Sequence, residues 1–463
     1  MAQTTKLFLV LAIGMLFPLR PKAQQSFSLS EAINYAKANN QSLKAAALNK
    51  LDADASVKEF RSIGMPKVSA GANYQYFFAI PAQPLPDFIT PSIYEVLFSE
   101  DVIPRRDLGP PDVFKFAFNR PHLLAGTVDF SMLAFDGSYI YGLKAAKLYR
   151  ELVANEFKVS ETDVAFAITK AYMASLIARE NKSMLEKNIQ NLQKTLAETK
   201  ELYKSGFVES IDVDRLELSY ENLTAEKANI ENVISLSDNL LKFQMGIPVN
   251  QSIILTDRLE DILSQSDVSA VEGTGSFQIN DRPEYQVILS GEKLNDIDIQ
   301  RLKAGRLPTV RLFGNVQQAL QRENLFSSQE VGFIFSSFAG IGLNIPIFDG
   351  GDRSAKIQRA KIRQDQTEIR KREFEKLANM EVLNAYNTLK NANNTLATRA
   401  KARQVSEQIF QKSEIKFREG VGSSVELSQA ELAYFQAQTA YINALYDVVI
   451  AKVDLDKALG KIK

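Results

Sequence analysis

An internal duplication constrains the fold of this chain more than any other feature. The tripeptide Phe-Asp-Gly at 135–137 recurs at 348–350. Further landmarks recur at a nearly constant offset, as Gly206 with Gly420, Ser210 with Ser424, Glu217 with Glu431, and Met245-Gly246 with Leu459-Gly460. Pro66 and Pro308 are farther apart than these pairs, which predicts an insertion between Phe78 and Pro121. Collinear landmarks predict one structural plan built twice.

Each predicted repeat contains a helix, a strand, a loop, a strand, a very long helix, a tight turn and a return helix. The predicted helices span about 28–63, 138–203 and 211–245, and then 282–306, 351–417 and 425–459. Apolar residues spaced by seven, such as Leu185 and Leu192, predict that the long helices pack as coiled coils. Each long helix would be roughly 100 Å long at 1.5 Å per residue. The helices alone fit a soluble coiled coil equally well.

The landmarks also predict the domain boundaries. The first repeat is 24–246, an inter-repeat linker is 247–279, and the second repeat is 280–463. Residues 1–23 have the features of a secretory signal peptide, because Lys6 precedes the short apolar run 7–19 and Ala23 offers a small residue for cleavage. We therefore expect an exported protein.

Composition excludes several functions. The chain has equal numbers of basic and acidic residues, so it lacks the excess positive charge that nucleic acid binding requires. It has no cysteine and one histidine, His122, which removes disulfides and most zinc and acid–base chemistry. No motif of a serine hydrolase, a P-loop nucleotide-binding protein or a zinc protease is present. We expect no enzymatic activity, no cofactor and no metal site.

Four segments alternate between apolar and polar or small residues with a period of two. They are 67–78, 124–134, 310–317 and 339–347, and the clearest has Val68, Ala70, Ala72, Tyr74 and Tyr76 on one face. Strands of about ten residues have the length needed to cross a bilayer at a tilt. Four strands cannot close a barrel, so closure would need several chains, and three would give twelve strands, enough for a wide channel. The alternative is that these four segments are ordinary strands of a β-sandwich.

The connection between the first two of these strands is rich in proline. Residues 81–121 contain eight of the fifteen prolines of the chain, which predicts an irregular, exposed loop. His122 follows this loop, and we interpret it as a surface residue at the rim.

The ordered motifs resemble the TolC-like outer membrane efflux protein family over essentially the whole mature chain. They are Leu-Ser-Glu-Ala at 29–32, Phe-Asp-Gly at 135–137 and 348–350, and the two helical turns at 203–212 and 417–427. The resemblance implies an α+β membrane protein. Four strands per subunit would contribute to a trimeric twelve-stranded outer-membrane barrel, continued by a long α-helical coiled-coil barrel in the periplasm.

The same resemblance implies partners and site residues. The partners would be two further copies, outer membrane lipid, a periplasmic adaptor protein and an inner-membrane transporter. The turn residues that would dock to the adaptor are Gly206, Phe207, Val208, Gly420, Val421 and Gly422. Glycine suits these positions, because helix reversal requires positive φ and close backbone approach. The alternative is that these residues serve the geometry of the turns alone.

Family members carry rings of acidic residues that constrict the periplasmic entrance and bind cations. Glu426 occupies one such position, with Asp212 as its repeat partner. Gln429 occupies the next position and Arg215 is its partner, so a second carboxylate ring is not expected. The alternative for Glu426 is an ordinary solvated helix surface. The alternative for the whole chain is a periplasmic coiled-coil adaptor or scaffold, although no small β-domains interrupt its helices.

Overall fold

A computed structural model describes residues 25–117, 119–259, 277–326 and 332–462. The predicted signal peptide lies outside these residues, as does much of the predicted inter-repeat linker.

The described residues form eight α-helices and eight β-strands. The helices are α1 (Leu29–Asn39), α2 (Gln41–Ser62), α3 (Ile89–Ser99), α4 (Gly137–Lys204), α5 (Ser210–Met245), α6 (Pro283–Ala304), α7 (Asp352–Arg418) and α8 (Ser424–Ala458). The strands are β1 (Gln25–Phe27), β2 (Lys67–Tyr76), β3 (Gln83–Pro86), β4 (Val113–Phe116), β5 (His122–Phe135), β6 (Ile253–Leu255), β7 (Thr309–Arg322) and β8 (Ile334–Asn344). Within the described ranges, no helix combines the length and the apolar character needed to cross a membrane.

These elements divide into two compact units. The described residues of the first unit come from 1–54, 148–294 and 363–463, and those of the second come from 55–147 and 295–362. The first unit is dominated by helices, whereas the second contains the large sheet. Both units combine segments that are distant in sequence.

The second unit is built on a four-stranded antiparallel sheet in the order β2-β5-β7-β8. Its register places Ser69 beside Asp129, which in turn lies beside Asn315 and accepts a hydrogen bond of 2.8 Å from its Nδ2. One residue along each strand, on the opposite face, Ala70, Val128 and Val316 form an apolar row. β2 and β8 are the two edges of this sheet. The four predicted strands are therefore present, and β2, β5 and β7 align their like faces here, whereas β8 places Ser337 beside Val316 and Phe338 beside Asn315.

The last strand differs from its prediction at both ends. β8 begins at Ile334, earlier than expected, and ends at Asn344, so Ile345 and Ile347 lie outside it. Its end is explained by Pro346, which has no N–H to donate to the strand ladder.

The predicted first helix is interrupted. Asn40 has an extended backbone (φ −60°, ψ 131°) that separates α1 from α2. Its buried side chain accepts a hydrogen bond from the backbone N–H of Leu43 and donates one of 2.7 Å to the carbonyl oxygen of Gln244. Asn40 thus caps α2 and ties this break to the end of α5.

The core of the first unit contains a cluster of buried aliphatic and aromatic side chains around a small parallel sheet, in which β1 pairs with β6. The fully buried Tyr172 donates a hydrogen bond of 3.0 Å to the carbonyl oxygen of Phe27, and Leu241 and Met245 pack in the same cluster. β6 belongs to the predicted linker, which therefore contributes to the core of this unit rather than only connecting two segments.

The proline-rich connection is more ordered than predicted. Residues 78–121, called the insert below, contain the antiparallel hairpin β3–β4 and the helix α3. The carboxylate of Asp87 begins the helix, because it accepts hydrogen bonds from the N–H groups of Ile89 and Thr90. The prediction of an irregular loop was wrong for these segments. Pro84 and Pro86 lie in the short strand β3 and Pro91 lies in the first turn of α3, where its missing N–H is tolerated, and the other prolines lie outside the helices and strands.

Candidate functional site at the helical turns

Two tight turns reverse the chain between the long helices and the return helices. Gly206 and Gly420 end α4 and α7 with φ of +80° and +75°. In both turns the following N–H reaches back five residues, from Phe207 to the carbonyl of Leu202 and from Val421 to that of Lys416, at 3.0 Å. This is a Schellman-type helix ending, which glycine permits because it has no Cβ.

The turns present apolar side chains to solvent. Phe207 is 78% exposed and Val421 is 80% exposed, whereas Val208 and Gly422 are half-buried. Gly422 also has little room, since an added Cβ would lie 2.9 Å from the Cβ of Lys416. Of the predicted docking residues, Phe207 and Val421 are thus strongly exposed, and Gly206 and Gly420 have open space where a side chain would lie, whereas Gly422 is tightly packed.

Asp212 faces the other return helix. Its carboxylate accepts a short hydrogen bond from the hydroxyl of Ser424, the first residue of α8, and one of 3.1 Å from the N–H of Glu209. Arg215 donates to the same Ser424 hydroxyl at 3.1 Å. The structure therefore uses Asp212 and Arg215 to join the starts of α5 and α8.

Glu426 lies in a different environment from its repeat partner. Its Oε1 forms an ion pair of 3.0 Å with Lys416 near the end of α7, and both side chains are about half exposed. Its backbone N–H is bound by the side chain of Ser423, which caps α8. Gln429 is exposed. Glu426 thus carries an exposed charge that a lysine of the same hairpin partly balances.

Glu431 is a site residue that the sequence does not single out, since it is there only one of the landmarks of the predicted duplication. Glu431 lines a cavity of about 220 Å³ between α5 and α8, together with Arg215, Leu218, Ser219, Asn222, Leu223, Ser428, Leu432 and Phe435. Its Oε2 is fully buried and has no hydrogen-bond partner among the described residues. Burial, and then repulsion from Glu414, raise the pKa of Glu431 to about 7.

No group of three or more His, Asp or Glu side chains within the described ranges is placed to hold a metal ion. The polar residues at the turns instead pair with one another or cap helices. The arrangement offers exposed charge, an apolar tip and one protonatable carboxyl group.

Comparison with known proteins gives a consistent result. Residues 295–461 match the family model described as outer membrane efflux protein. The outer membrane protein TolC of Vibrio cholerae serotype O1 is 21% identical in an alignment that covers 99% of this chain and 96% of TolC. The chain is thus similar to outer membrane efflux proteins, in its C-terminal part by the family model and over nearly its whole length by TolC.

Other relatives agree with this similarity. The probable efflux pump outer membrane protein TtgC of Pseudomonas putida is 22% identical over 60% of this chain and 56% of its own length. The crystal structure of the outer membrane protein VceC from Vibrio cholerae superposes with a TM-score of 0.67 and 17% identity, covering 93% of this chain and 96% of VceC. The chain therefore has the same fold as VceC.

Proposed function

We propose that this protein is the outer-membrane channel subunit of a tripartite efflux or secretion system. Three copies form a twelve-stranded barrel in the outer membrane, and their helices continue it as a coiled-coil duct in the periplasm. The duct is passive and carries out no catalysis, so the energy for transport comes from an inner-membrane transporter, reached through a periplasmic adaptor. The internal duplication, with repeats at 24–246 and 280–463, gives each subunit two helical hairpins, α4–α5 and α7–α8.

The observation that carries this proposal is the isolated four-stranded sheet. Among the described residues, no strand pairs with the outer sides of its edges β2 and β8, and every residue of β2 is exposed. Open edges and exposed apolar strand faces are costly in water and in hydrocarbon. Copies joined edge to edge would pair the backbone N–H and C=O groups of both edges, and lipid would cover the apolar face.

The direct test is to extract the protein from membranes in detergent, determine its mass and record single-channel conductance in a planar bilayer. We expect a trimer that forms a stable pore. A water-soluble monomer without conductance would contradict the proposal and favour the periplasmic scaffold, because a scaffold without a membrane segment should be released by washing.

The opposite faces of β2 give a sharper test of membrane insertion. Ala72 and Asn73 are neighbours near the middle of the strand and point to the apolar and polar faces. An arginine on a lipid-facing strand near the bilayer midplane costs about 2–4 kcal/mol. We expect Ala72→Arg to reduce the amount of trimer in the outer membrane severalfold, and Asn73→Arg to leave it near wild type. Equal effects of the two substitutions would argue against a lipid-facing side.

We further propose that Glu426 contributes to a charged constriction at the periplasmic end. Threefold symmetry would place three Glu426 carboxylates around one axis, where they would attract cations. Asp212, joined to Ser424, serves mainly to hold the two return helices together, and Gln429 adds no charge. The exposed turn residues around Phe207 and Val421 form the surface that docks to the adaptor.

The ion pair of Glu426 with Lys416 predicts opposite effects of two charge-removing substitutions. Glu426→Gln should lower the cation preference of the pore, whereas Lys416→Gln should raise it by leaving the carboxylate unbalanced. We expect changes of roughly twofold in the permeability ratio, since each exposed charge is screened by water. Reversal potentials in asymmetric salt measure this ratio. Indifference to both substitutions would place Glu426 away from the conduction path.

A further inference from the structure

The two halves of the four-stranded sheet pair in the same register. β2 lies against β5 from the pair Lys67–Ser131 onward, and β7 lies against β8 from the pair Thr309–Asn344 onward. Thr309 follows Lys67 by 242 residues and Asn344 follows Ser131 by 213 residues, and these two offsets convert all ten β2–β5 pairs into β7–β8 pairs. The second offset is also that of the two Phe-Asp-Gly motifs. The repeat in the sequence is therefore also a repeat of strand pairing.

The two halves meet inside the chain at one junction, where β5 pairs with β7. β5 is the second strand of its half and β7 is the first strand of its half. Their pairing ends in a bulge, at which Leu133 lies opposite Arg311 and Phe135 opposite Val310, so that Ala134 has no partner. The β5–β7 junction thus shows how a second strand of one half pairs with a first strand of the other.

The open edges of the sheet are the same two kinds of strand. β8 is the second strand of its half and β2 is the first strand of its half, and no described strand pairs with their outer sides. Equivalent side chains differ in exposure accordingly. Phe135 at the junction is 40% exposed, whereas its repeat partner Phe348, just beyond β8, is 90% exposed. A partner strand along β8 and residues 345–348 would remove this difference.

We propose that β8 of one copy pairs with β2 of the next copy in the register of the β5–β7 junction. This inference rests on the proposed ring of copies and assigns one register to the contact between them. Applied to the β5–β7 pairs, the two offsets place three residues of β8 opposite three residues of the neighbouring β2, as Ile341 opposite Tyr74, Gly342 opposite Asn73 and Leu343 opposite Ala72.

The bulge of the junction is repeated at this contact. Residues 345–348 extend β8 along the neighbouring copy, as residues 132–135 extend β5 along β7. Ile347, the repeat partner of Ala134, has no opposite residue. Phe348 lies opposite Val68 of the neighbouring copy, as Phe135 lies opposite Val310.

Side-chain pattern agrees with this register. Leu343 and Ala72 place apolar side chains together, and the small Gly342 lies beside the polar Asn73 on the other face. A slip of one residue would reverse the faces of one strand against the other. A slip of two residues would keep the faces together, so the repeated pairing is what selects between these registers.

Disulfide formation tests the register, because a disulfide requires Cα atoms within about 7 Å of each other. The chain has no cysteine of its own. We oxidise membranes that contain the double variant Ala72→Cys with Leu343→Cys and expect covalent trimers on denaturing gels without reductant. The matched control is Ala70→Cys with Leu343→Cys, which changes the same residue types on the same face, two positions out of register, and should stay monomeric.

A second pair covers the alternation of antiparallel strands between closely and widely spaced residue pairs. Asn73→Cys with Gly342→Cys is adjacent to the first pair, so one of the two pairs has the closer spacing. Covalent trimers from either pair, with none from the Ala70→Cys control, support the proposed register.

The other outcomes separate the register from the channel. Covalent trimers from the Ala70→Cys control, or from Tyr74→Cys with Leu343→Cys, in place of the expected pairs would overturn the register and keep the ring. If no variant forms covalent trimers although the untreated protein is a trimer in detergent, the β8–β2 pairing is wrong and the channel remains. A monomer in detergent would contradict the proposed function as well.

The repeated bulge has its own matched pair. Phe348→Cys should form a disulfide with Val68→Cys, whereas Ile347→Cys should not, since the bulge leaves residue 347 without an opposite residue. Disulfides from the Ile347→Cys variant in place of the Phe348→Cys variant would mean that the strands continue without a bulge, and would overturn the register at this end of the contact.

Discussion

Replacing Gly246 by alanine should destabilise the protein far more than the same replacement at Gly206. Both glycines end helices with positive φ, +74° and +80°. An alanine Cβ at 246 would lie 2.5 Å from the carbonyl oxygen of Asn39, whereas one at 206 would meet nothing within 4 Å. Positive φ costs an L-residue about 1–2 kcal/mol at either position. The backbone clash should add about 1–3 kcal/mol at Gly246 alone.

Thermal unfolding of the two variants in the same detergent measures this difference. Gly460→Ala is a second test, because Gly460 has φ of +72° and its added Cβ would lie 2.8 Å from the carbonyl oxygen of Asp281. We expect Gly246→Ala and Gly460→Ala to unfold at clearly lower temperatures than Gly206→Ala. Similar shifts for all three would mean that the backbone at Asn39 and Asp281 can move away at little cost.

The elements with strong periodicity could be predicted from the sequence alone. The helix α7 was expected at 351–417 and is observed at Asp352–Arg418, and β2 was expected from Lys67 and begins there. Long helices and alternating strands repeat the same signal over many residues, so errors at single positions cancel. The glycines at 206 and 420 likewise predict both helical turns, and both have positive φ in the structure.

Features that depend on one long-range contact could not be predicted. Asn40 interrupts a helical pattern because its side chain reaches the carbonyl of Gln244, about two hundred residues away. The insert contains regular structure despite its prolines, since Asp87 caps α3 and β3 pairs with β4. Local composition does not record such partners.

The predicted duplication gives no sign of one difference between two of its paired landmarks. Glu217 and Glu431 are equivalent landmarks, and the sequence gives no reason to distinguish them. Glu217 is about half exposed and pairs with Lys200 at 3.3 Å, whereas Glu431 faces a cavity with a buried, unpartnered oxygen. Tertiary packing thus leaves the Glu217 carboxylate in a surface ion pair and buries the Glu431 carboxyl group, whose pKa is raised.

Raising the pH from 4.5 to above 7 should loosen the packing of the start of α8 in wild type but not in Glu431→Gln. The pKa of Glu431 is raised from 4.5 to about 7 in the packed state, so that state binds the proton more tightly than the opened state does. Stability from this group is therefore fully present below about pH 4.5 and is lost as the pH rises through about 7. At 1.36 kcal/mol per pKa unit, the loss amounts to about 3 kcal/mol at most.

Amide hydrogen exchange of residues 424–435 can follow this local opening, after correction for the intrinsic pH dependence of exchange. We expect the ratio of protection between Glu431→Gln and wild type to rise by up to about two orders of magnitude between pH 4.5 and 8. The matched control is Glu217→Gln, which removes the exposed, paired carboxylate and should leave this ratio flat. If wild type and Glu431→Gln keep the same ratio at every pH, the Glu431 carboxyl must reach water or a cation partner when it ionises. The α5–α8 cavity would then be a solvated groove rather than the site of a buried acid.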